Sequence, residues 1–218
     1  EWRAIHNRFR ISIDDASELP YMKILLVLAH PLEDSLCSAF AGLTLESLRS
    51  KGHRVEVEDL YRDGFDPVLN REERNSYYQE AYADSGVRRN IQKLIEAEAL
   101  ILIFPTWWFG FPAILKGWFD RVWAPTFAYE HADDLGPIRP KLDRLKQAFV
   151  VTTLGAPWWV DHIVLRTPVK RTIKHALLGA CARQCRLQYL SFYKCEKVSA
   201  ERIKQFGSRI ETVLDRWF

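Results

Sequence analysis

Residues 23–35 read KILLVLAHPLEDS, and this stretch decides the fold class. Lys23–Ala29 is an apolar run after its first residue, which is typical of a parallel strand covered by helices on both faces. Pro31 cannot continue a strand ladder, and Ser35 is a suitable N-cap for a helix that Gly52 closes. The stretch therefore predicts a buried strand, a short loop and a helix.

The same alternation of strands and helices continues along the chain. Four further strands are predicted at Arg54–Leu60, Ala99–Phe104, Gln147–Thr153 and Arg186–Tyr193. Further helices are predicted at Val87–Ala97, at Pro112–Trp123, after a cap at Thr167 and after a cap at Ser199. The segment Tyr61–Glu80 is predicted to be irregular, and Asp133–Pro140 is predicted to be a turn-rich loop. This order predicts an α/β fold, a flavodoxin-like three-layer sandwich with a five-stranded parallel sheet, in one domain over residues 22–218.

The composition is that of a globular domain, and the net charge gives no sign of a nucleic-acid-binding protein. The 218 residues are 48% hydrophobic and 27% charged, which is typical of a globular domain, and a net charge of +3 does not by itself indicate nucleic-acid binding. Residues 1–21 are expected to be either an extension outside the domain or an arm that docks on a partner. A disulfide framework is not evident, so a reducing cytoplasm is the expected location; the four cysteines are Cys37, Cys181, Cys185 and Cys195.

The loops that follow the predicted strands carry the candidate ligand site. In doubly wound sheets, ligands bind beyond the carboxyl ends of the strands, where loops distant in sequence meet. These loops are His30–Ser35, Pro105–Gly110 and Thr152–Gly155. No GxGxxG, P-loop or GxSxG motif is found, which argues against a Rossmann dinucleotide site, a P-loop nucleotide site and a nucleophile elbow. No cysteine and histidine cluster has zinc-ligand spacing, so no metal site is predicted.

Three weak signals in these loops combine into one candidate site. Ser35 opens a helix whose N–H groups and dipole favour a phosphate, which His30 could support. Trp107–Phe109 offers a flat surface for a planar ring, and Thr152–Gly155 offers hydroxyl groups and backbone for the edge of that ring. Taken singly, each signal has an ordinary structural explanation as a cap, a core residue or a turn. Together, a phosphate site beside a planar polar ring describes a flavin nucleotide.

The stretch Pro105–Tyr129, PTWWFGFPAILKGWFDRVWAPTFAY, resembles the NAD(P)H:quinone oxidoreductases of the DT-diaphorase type. It is also similar to their bacterial relatives, which include the drug-activity modulator and the ancillary subunits of glutathione-gated potassium efflux systems. The similarity extends to VLAHP at 27–31, EDLYRDGFDPVLNREE at 58–73 and TTLG at 152–155.

The resemblance implies a tightly held flavin and two-electron, ping-pong hydride transfer from NADH or NADPH through the flavin to a quinone or another flat acceptor. FAD is slightly favoured over FMN. The alternative function is a flavoprotein subunit that regulates a glutathione-gated potassium transporter. The positions matched to cofactor contacts are His30, Ser35, Leu36, Cys37, Pro105, Thr106, Trp107, Trp108, Phe109, Thr152, Thr153, Leu154 and Gly155.

The resemblance also places Tyr129 in the substrate pocket. His131 would share its side in an extended segment, so we expect both side chains to overhang the flavin. No catalytic residue is assigned firmly, because the segment after Gly155 lacks the tyrosine that the family uses near the flavin. His131 and His162 are the candidates for a proton donor.

Two features predict partner surfaces. The helix at Pro112–Trp123 carries more apolar surface than one sheet face is expected to cover, which favours a homodimer; its apolar residues are Ile114, Leu115, Trp118, Phe119 and Val122. Residues 162–195 contain seven Lys or Arg residues and no Asp or Glu. This basic stretch is either a solvated helix face or a surface for an acidic partner, an anionic lipid surface or the 2′-phosphate of NADPH.

Overall fold

A parallel five-stranded sheet forms the centre of the computed structural model, which describes residues 21–131, 136–196 and 198–218. The strands are β1 (Lys23–Leu28), β2 (Arg54–Asp59), β3 (Ala99–Pro105), β4 (Tyr129–Glu130), β5 (Arg139–Pro140), β6 (Gln147–Leu154) and β7 (Arg186–Tyr193). The sheet order is β2-β1-β3-β6-β7, with every neighbour parallel, while β4 and β5 form a separate antiparallel pair. The predicted fold class and the five predicted strands are confirmed.

Helices cover both faces of this sheet. They are α1 (Leu36–Ser50), α2 (Arg71–Asn75), α3 (Arg88–Glu96), α4 (Ala113–Val122), α5 (Pro168–Arg171), α6 (Gly179–Cys181) and α7 (Ala200–Trp217), with π-helical turns at Val160–Val164 and Thr172–Leu178. On one face, α1 and α7 share an apolar cluster that includes Phe40 and Ile210. On the other face, α3, α4 and the helical run from α5 to α6 share a cluster that includes Trp118 and Ile173. The carboxyl ends of β1, β3 and β6 therefore lie side by side between two helical layers.

The three predicted cap residues all occupy N-cap positions, and two of them make a side-chain capping bond. The N–H of Ser38 donates to the Ser35 hydroxyl at 3.1 Å, and Ser199 caps α7 in the same way. Thr167 also occupies the N-cap position, before Pro168 at the start of α5, but it has a left-handed φ of 51° and its side chain makes no capping bond. The N–H of Thr167 instead donates to the Asp161 carbonyl at 2.7 Å, so the chain reverses here before α5 begins.

The segment Tyr61–Glu80 was predicted to be irregular, but it contains α2. Asn70 and Glu73 form a capping box at the start of this helix. The buried Glu73 carboxylate also accepts two hydrogen bonds from Nε of Arg121 on α4, at 3.0 and 2.9 Å. A five-residue helix has too little periodicity to be read from the sequence, and this one depends on a tertiary ion pair.

Helix α4 is covered within its own chain. The five apolar residues that supported a homodimer are all buried, at 8% exposure or less: Ile114, Leu115, Trp118, Phe119 and Val122. The expectation that this helix leaves apolar surface uncovered was wrong, because α4 packs against the loop at Pro67 as well as against the sheet, and Gly117 permits a close backbone approach there. The apolar face of α4 therefore gives no support for a dimer.

Within the three described ranges, no helix is long and apolar enough to cross a membrane. The same residues contain no group of three or more His, Cys, Asp and Glu side chains that could hold a metal ion. The predicted extension at residues 1–21 falls outside the described part of the chain apart from Tyr21, and so do the first residues of the predicted loop at 133–140.

Candidate functional site

The three loops predicted to form the site meet at the carboxyl edge of the sheet. The hydroxyl oxygens of Thr106 and Thr152 lie 2.7 Å apart, and the N–H of Thr106 donates to the Thr153 carbonyl at 2.9 Å. Sγ of Cys37, in the first turn of α1, lies 3.5 Å from the Thr153 hydroxyl. The rings of His30 and Trp107 are 6.2 Å apart. These contacts join the β1–α1 loop, the β3–α4 loop and the end of β6 into one surface.

A cleft of about 450 Å³ lies at this surface. Thr106–Phe109 forms one side and Leu154–Ala156 another, and Glu196 from the loop after β7 completes the lining. The volume is in the range of small-molecule sites, which are mostly apolar with a few polar groups. Of the described side chains that line the cleft, Glu196 alone is charged.

The loop after β3 turns its aromatic side chains outward. Trp107 and Gly110 exchange backbone hydrogen bonds at 3.2 and 2.9 Å, which closes a tight turn. Trp108 and Phe109 at its centre have φ values of 51° and 55°, a left-handed conformation that is uncommon for bulky side chains. Trp108 is fully exposed, at 100%, and Trp107 is 42% exposed. Strained backbone that displays large rings is typical of a binding surface rather than of a core.

The side chains of Cys37, Thr152 and Thr153 face the interior and brace the loops. Thr152 is 0% exposed and Thr153 is 6% exposed. Cys37 is also buried, and burial raises the pKa of its thiol to about 12. We expected the two threonine hydroxyls to reach the edge of a ring, but both are occupied by the contacts between loops described above. Strand β6 is covered on both faces, so side chains on either side of it enter the core.

The N-terminus of α1 keeps the geometry expected for an anion site. Leu36 and Cys37 occupy the first helical positions, where backbone N–H groups have no partner within the helix. Nδ1 of His30 accepts a hydrogen bond from the N–H of Leu32 at 3.1 Å, so Nε2 carries the proton of the neutral ring. His30 therefore organises this loop and presents a fixed tautomer beside Trp107.

Tyr129 and His131 lie together but do not line the cleft. Their rings are 5.2 Å apart, and the ring of His131 is also 4.8 Å from that of Tyr78. Burial raises the pKa of Tyr129, so its hydroxyl stays protonated. Neither residue is among the side chains around the cleft of a single chain.

A polar network beside the cleft was missed by the sequence analysis. The hydroxyl of Tyr193 donates to Oδ2 of Asp161 at 2.8 Å, and Nε2 of His162 lies 3.0 Å from the same hydroxyl, to which it therefore donates. Burial raises the pKa of Tyr193 to about 12. Burial, and next the nearby Asp161 carboxylate, raise the pKa of Tyr189 on the same strand. Tyr193 is the last residue of β7, so the strand-end rule applied to the last strand could have found it.

Comparison with known proteins identifies the family. A family model described as a flavodoxin-like fold matches residues 22–217, so the chain belongs to this family. NAD(P)H dehydrogenase [quinone] 1 of Cavia porcellus is 38% identical over 152 residues, which cover 62% of this chain and 54% of that protein. An uncharacterized NAD(P)H oxidoreductase of Haemophilus influenzae is 31% identical over 179 residues, which cover 78% of this chain and 82% of that protein.

The fold has close counterparts among solved structures. The crystal structure of Smu.1420 from Streptococcus mutans superposes with a TM-score of 0.77 at 28% identity, and the match covers 89% of this chain and 100% of that one. Coverage of the curated relatives is more limited. The chain spans 61% of the length of a ribosyldihydronicotinamide dehydrogenase-like protein of Penicillium crustosum and 54% of the length of the Cavia porcellus protein.

Proposed function

We propose that this chain is a flavin-dependent NAD(P)H:quinone oxidoreductase, which passes two electrons from NADH or NADPH to a quinone or a similar flat acceptor. The observation that carries the proposal is the cleft between Trp107–Phe109 and Leu154–Ala156, next to the N-terminus of α1. The names of the relatives agree with a reductase and do not favour the alternative of a transporter subunit. The four cysteines are free thiols, which is compatible with a cytoplasmic location.

The residues around the cleft fit a flavin nucleotide. Trp107–Phe109 supplies a large aromatic surface for the ring system, and the first N–H groups of α1 are suited to a phosphate. A Cβ atom at Gly155 would lie 2.8 Å from Oε1 of Glu196, so a glycine keeps space open between Glu196 and the backbone. We expect FAD, with FMN as the second choice. When bound, the flavin supplies the hydride-transfer chemistry, which no side chain can perform.

The side chains of this chain position the reactants and handle protons in this proposal. The hydrogen bond between the hydroxyl groups of Thr106 and Thr152 fixes the two sides of the cleft relative to each other. Backbone N–H groups near Gly155 would stabilise negative charge at the edge of the ring. His162 can hold the proton that a reduced quinone takes up, because it is exposed and Tyr193 fixes its orientation. His131 is the second candidate for this role, with Tyr129 beside it.

The proposal is tested by steady-state kinetics of the flavin-loaded protein with NADH or NADPH and a soluble benzoquinone. We expect quinone-dependent oxidation of the reduced nicotinamide. His162→Ala and His131→Ala should retain flavin but lower quinone turnover by about a hundredfold, the low end of what a general acid supplies, and flatten the acid limb of the pH profile. Tyr129→Phe should weaken quinone turnover without loss of flavin. A protein that holds flavin but oxidises neither nicotinamide would refute the proposed activity.

We also propose a homodimer, argued from exposed tryptophans at the cleft and not from the apolar face of α4. Trp108 is fully exposed and Trp107 is 42% exposed, and both rings lie at the cleft. Exposed apolar surface of this kind marks interfaces, and a second copy could close the cleft over Trp108. Light scattering at micromolar protein should give the mass of a dimer, and Trp108→Ser should reduce it. A wild-type monomer with full activity would contradict this assembly.

A further inference from the structure

Glu196 stands beside the cleft because the chain after β7 is tied to the end of β6. The N–H of Cys195 donates to the Leu154 carbonyl at 3.1 Å, which extends the pairing of the two strands. The next residue is Glu196, and its Oε1 is the atom nearest to a Cβ placed on Gly155, at 2.8 Å. The backbone therefore holds one carboxylate at the end of β6, beside the space proposed for the flavin ring.

Among the described residues, no basic side chain neutralises this carboxylate. Glu196 is exposed and has no ion-pair partner in the described part of the chain. Two cations of the same region, Lys194 and Arg202, line the neighbouring groove between β7 and α7 and do not line the cleft. The guanidinium of Arg202 is also engaged, since it donates to the Tyr193 carbonyl at 3.0 Å and lies over the Phe192 ring. The side-chain charge that borders the cleft is therefore negative.

The aromatic side of the cleft also favours positive charge. The exposed rings of Trp107 and Trp108 line it, and the π face of an indole attracts a cation that lies within about 6 Å of the ring centroid. An anionic group in the same space would meet both the negative π faces and the Glu196 carboxylate. The cleft therefore offers a flat aromatic surface and one carboxylate, which together suit a flat organic cation.

We propose that Glu196 makes the cleft select flat electron acceptors with delocalised positive charge over anionic acceptors of similar shape. This inference rests on the proposed function and names the class of acceptor. A hydride neutralises such a cation, because NAD(P)H + A⁺ gives NAD(P)⁺ + AH. A C–H bond of the nicotinamide breaks, a bond between hydrogen and the acceptor forms, and no further proton is needed. The carboxylate attracts the cation but not the neutral product, so its charge favours both substrate binding and product release.

The kinetic test compares three acceptors at saturating NADH or NADPH, after subtraction of the uncatalysed rate: methylene blue, which is a phenothiazinium cation, a neutral naphthoquinone and a naphthoquinone sulfonate. Glu196→Gln keeps the shape and removes the charge. It should raise the KM for methylene blue about fivefold and lower that for the sulfonate by a similar factor, the effect of two unit charges about 4 Å apart in water. The ratio of the two kcat/KM values should therefore fall by more than about tenfold. For the neutral quinone the change should lie between the other two.

Glu201→Gln is the matched control for this variant. It makes the same chemical change at an exposed position in the first turn of α7, and Glu201 does not line the cleft. Salt screens a charge outside the cleft, so the ratio of kcat/KM values should change by less than about twofold in this variant. An equal fall of the ratio in both variants would assign the preference to the net charge of the protein and overturn the role of Glu196.

Binding without turnover separates this inference from the proposed activity. Equilibrium dialysis of methylene blue against the purified protein, with no nicotinamide present, should show binding that weakens at high salt and in Glu196→Gln. If no acceptor supports oxidation of a nicotinamide, the proposed activity fails, and the dialysis still decides whether Glu196 selects cations. A wild type that prefers the sulfonate, or a Glu196→Gln variant that changes all three acceptors equally, would overturn the inference. Thermal melting shows whether each variant is folded.

Discussion

Gly155 and Glu196 face each other across one part of the cleft. A Cβ atom added at Gly155 would lie 2.8 Å from Oε1 of Glu196, and the three nearest atoms it would meet all belong to that side chain. Glu196 is exposed and flexible, so it can move away from an added methyl group. A substitution at Gly155 should therefore alter the cleft and leave the fold intact.

We expect Gly155→Ala to weaken flavin binding by about tenfold or more, because the methyl group and the displaced Glu196 side chain reduce the space for the ring. Fluorescence titration with FMN and FAD measures the affinity, and the melting temperature should change little. Gly42→Ala is the control, since no atom lies within 4 Å of the added Cβ there. An unchanged affinity in Gly155→Ala would place the ring elsewhere.

At the residue scale, the sequence identifies the loops of the site better than the direction of each side chain. Trp107 and Trp108 are exposed at the cleft as their position after β3 predicts. Thr152 and Thr153 lie in the predicted loop, yet their side chains are buried, because β6 runs between two helical layers. Glu196 and Tyr193 were missed, because the strand-end rule was not applied to β7, which lies beside β6.

Helices α1 and α4 each contain an interior glycine, and the two have opposite environments. A Cβ atom at Gly42 would meet nothing within 4 Å, whereas one at Gly117 would overlap the backbone of Pro67. Glycine in the middle of a helix costs conformational entropy unless close packing requires it. The same substitution should therefore have opposite effects on the two helices.

We expect Gly42→Ala to raise the free energy of unfolding by about 0.4–1 kcal/mol. Gly117→Ala should lower it by at least about 1–3 kcal/mol, because backbone atoms of Pro67 cannot move away as a side chain can. Urea unfolding of the two variants beside the wild type measures both changes. Changes of the same sign would mean that α4 does not pack against Pro67 as described.

At the element scale, the long elements are predictable and their tertiary supports are not. Periodicity and serine caps locate α1 and α7, which have local signals along their whole length. Helix α2 depends on the contact of Glu73 with Arg121, which lies 48 residues away in sequence. Coverage of α4 by the Pro67 loop is likewise a long-range contact, so the sequence wrongly indicated an uncovered apolar face.

Across the whole molecule, burial keeps many thiols and phenols neutral. It raises the pKa of Cys37, Cys181 and Cys185 to about 12 from 9.0, and that of Tyr77 and Tyr193 to about 12 from 10.0. A group whose pKa is higher in the folded state stabilises the fold fully below its unfolded pKa and loses that contribution as the pH rises toward the folded value. The contribution of each of these groups to the free energy of unfolding therefore decreases as the pH rises.

We therefore expect the free energy of unfolding to change little between about pH 7 and 8 and to fall steadily from about pH 9 to 12. Urea unfolding at stepwise pH, with a reductant present to keep the thiols free, measures the profile. Cys181→Ala should make the decline less steep, because it removes one of the shifted groups. A stability that is constant or rises between pH 9 and 11 would contradict the burial of these groups.

The central claim is that the cleft beside Trp107 and Trp108 holds a flavin nucleotide. The most direct measurement is a titration of the flavin-free protein with FMN and with FAD, followed by visible absorbance and flavin fluorescence. We expect one flavin per chain, a yellow protein, and fluorescence that is quenched because the ring stacks on indole. Trp107→Ala should weaken the binding. A protein that stays colourless and leaves the fluorescence of both flavins unchanged would contradict the claim.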